Sequence, residues 1–220
     1  MEQIILVDEQ DNEIGREEKI KAHLDCGKLH RAFSVVIFDS DPFIAGNPSD
    51  STAVKKVVAN SKINLHSKIL IQKRAAAKYH CPGIWANTCC SHPRPDEEII
   101  DAAYRRVREE MGFDCLENGI ELKEIFAFTY RQEFDNGLTE HEFDHIFFGI
   151  AGNDFVSKSI IACKDEKTEN NDKNNNPIKP NPNEVEELKW MSIKDLIIDI
   201  KQYPDKYAVW FKLIIENLNH

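Results

Sequence analysis

The side chains best suited to chemistry lie in four separate stretches of the chain. In "RRVREEMG", Arg106, Glu109 and Glu110 are spaced by three and four, so on a helix they share one face. Carboxylates grouped this way suit Mg²⁺, which binds through one or two carboxylates plus phosphate oxygens. A guanidinium among them grips phosphate but neither ligates a metal nor activates water. "KAHLDCGKLHRAFS" supplies His23 and His30, and "NTCCSHP" puts Cys90 two residues before His92. "LTEHEFDHIFF" supplies Glu140 and Glu142, whose side chains share a face if the segment is extended. Three imidazoles and two carboxylates make a donor set for a borderline divalent ion such as Mn²⁺, Fe²⁺ or Zn²⁺. Each piece taken alone has a plainer reading: a charged surface helix, loop histidines, a solvated turn. Nothing local says that the four stretches meet.

The elements that must position them are short. β-Branched and aromatic runs predict strands at "IILVD", at "AFSVVIF" from Ala32, at "KILIQK" from Lys68, at "KEIFAFTYRQ" from Lys123, at "DHIFFGIAG" from Asp144 and at "ELKWMS" from Glu187. Ile100, Ala103, Val107 and Met111 repeat at helical spacing in "EEIIDAAYRRVREEM", and "IKDLIIDIKQ" and "YAVWFKLIIENL" predict two more helices around the turn "YPDK". Residues 41–67 and 164–183 read as loop inserts in one domain spanning 1–220. The second is Asn-rich and too polar to fold alone. Both are expected to lie away from the chemistry, the second as a mobile loop between two strands.

Composition narrows the function. A formal charge of −10 over 220 residues excludes a general nucleic-acid binder, which needs an excess of Lys and Arg. There is no long apolar stretch for a bilayer, and "MEQIILVDEQ" is not a signal peptide. The expected compartment is the cytoplasm, with no membrane partner. The six cysteines form no zinc-finger spacing, so free thiols are the expectation. Oligomeric state is not legible.

Residues 91–113 resemble the Nudix box: Glu97, Arg105, Val107, Glu109, Glu110, Gly112 and Phe113 fit it, while Ser91 replaces its first glycine and Arg106 one of its glutamates. "AHLDCGKLHRAFS", "CPGIWANTCCSHP", "RRVREEMG", "FTYRQ" and "TEHEFDHIF" follow one another in the order seen in the type I isopentenyl diphosphate isomerases, a branch of the Nudix fold family. The chain is identified as resembling that family from Lys19 to Trp210. The resemblance implies an α/β (α+β) Nudix fold, mixed β-sheets sandwiched by helices. It implies interconversion of isopentenyl and dimethylallyl diphosphate, a small-molecule substrate, by moving a proton through a tertiary carbocation.

The same resemblance implies roles. Cys90 and Glu142 would exchange the proton, Tyr130 would support Glu142, and Trp210 would face the cation. Cys89 has no assigned role and is expected to pack. His23, His30, His92, Glu140 and Glu142 would hold one divalent metal, Mn²⁺, Zn²⁺ or Fe²⁺. Glu110 would hold Mg²⁺ against the substrate diphosphate, whose basic contacts would be Lys19, Arg74, Lys78 and Arg106. The chemistry suits these residue types. An indole face attracts a cation, worth on the order of 2 kcal/mol when desolvated, and excluding water protects the cation from capture. The alternative is a Nudix hydrolase of a nucleoside diphosphate derivative, against which Arg106 speaks. A catalytically dead Nudix-fold binding module would need no paired acid and base. A flavin-dependent isomerase is disfavoured, as no glycine-rich cofactor loop appears.

Overall fold

The described strands are β1 (Gln3–Val7), β2 (Glu13–Glu18), β3 (His30–Phe38), β4 (Phe43–Ile44), β5 (Lys62–Ile63), β6 (Lys68–Arg74), β7 (Trp85–Ala86), β8 (Cys89–Ser91), β9 (Lys123–Glu133), β10 (Thr139–Ile150) and β11 (Val185–Ser192). The helices are α1 (Lys19–His23), α2 (Ile99–Met111), α3 (Asn153–Lys164), α4 (Ile193–Gln202) and α5 (Val209–Leu218). They are seen in a computed structural model that describes residues 2–44, 62–78, 81–164 and 176–218.

Among the described residues, nine strands join in one mixed sheet, with β4 and β5 as a separate pair. β10 is its hinge: it runs parallel to β3 and antiparallel to β9. β3 also takes β8 antiparallel, and β6 pairs with β11. The strand period of two divides β3 between two cores. Phe33, Val35 and Ile37 pack with Ala103, Val107 and Met111 of α2 and Phe155 of α3. Val36 and Phe38 pack with Leu196 of α4 and Trp210, Phe211 and Ile214 of α5. The sheet is therefore sandwiched by helices, as the Nudix resemblance implies. Among the described residues no helix is long and apolar enough to cross a membrane.

Local chemistry sets the helix ends. Gly112 stops α2 in the left-handed region at φ 72°, which favours glycine. Ser192 caps α4 by accepting from the Asp195 N–H at 3.0 Å. Besides the two- and three-residue strands β4, β5, β7 and β8, three longer elements escape the sequence patterns above. β2 ("EIGREE") is a polar edge strand with no alternation to read, α1 is five residues long, and α3 buries Phe155 and Val156 where no helix is predicted.

The inserts need correction. Residues 45–61 and 165–175 lie outside the described residues, so the mobile-loop expectation for 165–175 is not addressed. The end of the second insert, however, is docked on the chemistry-bearing helix. Lys179 N–H donates to the Met111 carbonyl at 3.1 Å, Asn181 N–H donates to the Glu110 carbonyl at 2.8 Å, and Ile178 is buried. The last carbonyls of a helix lack intrahelical partners, and this segment supplies them.

Candidate active site

Four elements bring the histidines and glutamates together. α1 ends in His23, β3 begins with His30, His92 follows β8, and β10 carries Glu140 and Glu142. His30 and Glu142 are register partners across the parallel β3–β10 pair. All five are buried, and one ligand atom from each lies within 4.8 Å of every other. "TEHEFD" is thus strand, not solvated turn.

The imidazoles are turned for ligation. Nδ1 of His23 lies 2.6 Å from the Lys19 carbonyl and Nδ1 of His30 lies 2.7 Å from the Lys28 carbonyl. Each Nδ1 must therefore carry the proton, which leaves both Nε2 lone pairs facing inward, the arrangement of a metal-binding histidine. His30 Nε2 stands 3.2 Å from His92 Nε2, and His92 Nε2 3.0 Å from Glu142 Oε1. Inward lone pairs and two carboxylates converging on one point fit a divalent cation, of the kind Nudix proteins use.

Burial pushes the His92 imidazole well down, against the pull of Glu142. Burial alone would raise Glu142, yet the neighbouring His30 and His92 imidazoles hold it well below the usual carboxylate range. Glu140 goes the other way, raised by burial and by the neighbouring Glu142 charge. Asp144, next on the same strand face, is held well above the usual carboxylate range for the same two reasons.

A cleft opens over this cluster. Its walls include Cys90, Ser91, His92, Tyr130, Glu140, Glu142 and Trp210, together with the cations Lys19, Arg74, Lys78 and Arg106. Tyr130 donates its hydroxyl to Glu142 Oε2 at 2.6 Å. Arg74 Nη1 donates to Cys90 Sγ at 3.6 Å. Burial pushes the Cys90 thiol up to about 12, with Arg74 opposing, so the group is a thiol at neutral pH. Cys89 points into the core and is fully buried. His23 and His30 stand behind His92, their ring centroids 5.7 and 4.9 Å from it. Glu110 is buried beneath Arg106, which pairs with it, and Gln72 Nε2 donates to its Oε2 at 3.4 Å.

Two neighbours of these residues were not singled out in the sequence. Asn87, fully buried, accepts from the Trp210 indole N–H at 3.0 Å and donates to the Val35 and Cys89 carbonyls at 3.1 and 2.8 Å. It sets the angle of the indole, and no local signal marks an asparagine for that. Glu184 pairs with both Lys78 and Arg106. Its position one residue beyond the Asn-rich insert hid it.

The sheet, the helix α2 and the carboxylates on it define a Nudix protein, and the NUDIX domain is the family description that residues 53–213 match. Among solved structures, the crystal structure of DR0079 from Deinococcus radiodurans is similar in fold, with a TM-score of 0.63 at 13% identity and 100% of each chain covered. Two curated relatives narrow the assignment. The chain is 40% identical over 217 residues to isopentenyl-diphosphate Delta-isomerase 2 of Aromatoleum aromaticum, covering 99% of this chain and 86% of the relative. It is 37% identical over 217 residues to isopentenyl-diphosphate Delta-isomerase 2 of Photorhabdus laumondii, covering 99% and 92%. The chain belongs to the isopentenyl-diphosphate Delta-isomerase family.

Proposed function

We infer that this enzyme converts isopentenyl diphosphate to dimethylallyl diphosphate. One proton is added to the terminal alkene carbon and another is removed from the carbon nearer the diphosphate, with a tertiary cation between. The observation that carries the reading is a single cleft lined by a thiol, a carboxylate and an indole, with four cations for the diphosphate. Cys90 and Glu142 exchange the two protons from opposite faces of the substrate. The Tyr130 hydroxyl holds Glu142 in place, and the Trp210 ring faces the cation. The diphosphate sits among Lys19, Arg74, Lys78 and Arg106.

His23, His30, His92, Glu140 and Glu142 would hold Mn²⁺, Zn²⁺ or Fe²⁺, and Glu110 would hold Mg²⁺ with the diphosphate. Bound there, the ions supply fixed positive charge that orients the glutamates and neutralises the phosphates. Hydrolysis, the activity of many Nudix proteins, is disfavoured because Arg106 replaces a carboxylate of the box. Arg106 binds phosphate but cannot activate water.

The test uses acid lability. Labelled isopentenyl diphosphate is incubated with protein and Mg²⁺ and then briefly acidified; only the allylic isomer solvolyses and becomes extractable. Metal-dependent conversion that disappears in Cys90→Ala and in Glu142→Gln, both with unchanged circular dichroism, is the expected result. Undiminished conversion by either variant would remove that residue's role. Phosphate release from a nucleoside diphosphate panel, with no allylic product, would make the chain a hydrolase.

A further inference from the structure

We propose that Glu184 is a built-in occupant of the diphosphate seat, a carboxylate that holds Lys78 and Arg106 until the diphosphate displaces it. The inference rests on the reading above, in which these two cations bind the substrate.

The geometry is that of a bridging anion. One Glu184 oxygen, Oε2, pairs with the Lys78 ammonium. The other, Oε1, lies 3.4 Å from Arg106 Nη2. Lys78 and Arg106 come from different parts of the chain, one after β6 and the other from α2, and this carboxylate joins them. Both cations line the cleft. A phosphate oxygen arriving at either would meet the Glu184 charge at contact distance, where like charges repel strongly in a partly buried setting. Diphosphate and carboxylate therefore compete for the same two partners.

The backbone around Glu184 is pinned. Its N–H donates to the Asn181 carbonyl at 2.9 Å, and its carbonyl accepts from the Ala75 N–H at 3.0 Å. Asn181 is in turn bonded to the end of α2 through the Glu110 carbonyl. Displacement is thus a rotation of one side chain, not a movement of the segment. The side chain keeps 22% of its surface exposed, so it has solvent to turn into. Arg106 is also held by Glu109 and Glu110 of its own helix, so in the ligand-free enzyme the Glu184 carboxylate keeps Lys78 in place and screens both cations from stray anions. Diphosphate binding carries the cost of breaking two ion pairs.

The experiment is calorimetric titration with inorganic pyrophosphate, first without divalent metal and then with Mg²⁺, of the full chain, Glu184→Gln and Glu184→Ala. The expected result is that both variants bind pyrophosphate more tightly than the unaltered chain, by tenfold or more. A carboxylate that merely supported the fold would loosen binding when removed. If the unaltered chain binds pyrophosphate and the variants bind it no more tightly, the inference fails while the diphosphate reading stands. If the variants instead lose only Mg²⁺-dependent binding, Glu184 is a ligand of the bridging ion and the inference fails too. If no form binds pyrophosphate with or without Mg²⁺, both readings fail together.

Discussion

Replacing Asn87 with alanine tests the indole's position directly. Three hydrogen bonds end on this one fully buried amide: the Trp210 N–H at 3.0 Å, and the Val35 and Cys89 carbonyls at 3.1 and 2.8 Å. Removing one partner of a buried hydrogen bond costs roughly 1–3 kcal/mol. The indole N–H loses this acceptor, and the two carbonyls, both on paired strands, lose a side-chain donor. A total loss of about 3–5 kcal/mol follows, a large share of the roughly 5–15 kcal/mol that holds a domain together. Urea denaturation followed by tryptophan fluorescence measures it. Activity should fall further than stability explains. If the freed indole rotates off the cation, the barrier rises by on the order of 2 kcal/mol, or about 30-fold in kcat. Trp210→Phe removes the N–H from the other side, and the double variant should show a coupling of about 1–3 kcal/mol. A loss below about 1 kcal/mol in Asn87→Ala, with kcat unchanged, would refute the claim that this amide fixes the ring.

Two further outcomes follow from the geometry. Stripping divalent metal with a chelator should lower the melting temperature, and Mn²⁺ or Zn²⁺ should restore it, because five ligand atoms within 4.8 Å exist only in the folded chain. An ion at a thousandfold its Kd adds about 4 kcal/mol, and a melting temperature indifferent to metal would count against the site. Gly112→Ala should destabilise by at least about 1–2 kcal/mol in denaturant, since φ is 72° there and an alanine Cβ would run into the Lys179 carbonyl. A neutral result would mean that residues 176–183 do not press on the helix.

Much of the fold was legible because burial marks composition and period: the β-branched and aromatic run "AFSVVIF" and the three-and-four spacing in "EEIIDAAYRRVREEM" both became the elements they predict. Two of the elements that stayed hidden, β2 and α1, bury little. β2 faces solvent, and α1 is a single turn or so held by the Glu18 side chain accepting from the Ile20 and Lys21 N–H groups. The site divides in the same way. His23, His30, His92, Glu140 and Glu142 are chemically conspicuous, but no spacing rule brings them together; the family resemblance did, and the sheet register places them in one cluster. Asn87 and Glu184 act by touching other side chains, Trp210 in one case, Lys78 and Arg106 in the other. A residue whose importance lies wholly in its contacts leaves no mark on a linear pattern.

The pairing of β10 with β3 also bears on how the molecule assembles. His23 and Glu140 are 117 residues apart along the chain yet 3.1 Å apart in space. As synthesis proceeds, the three histidines emerge first and have nothing to close around until β10 slots between β3 and β9. Such distant pairings form late and slowly, although the entropy of closing a long loop grows only logarithmically with its length. Ion capture is then a clasp rather than a template: it cannot start folding, but once β10 has docked it retards the strand's departure. Metal uptake followed in time would serve as a clock for the docking of β10.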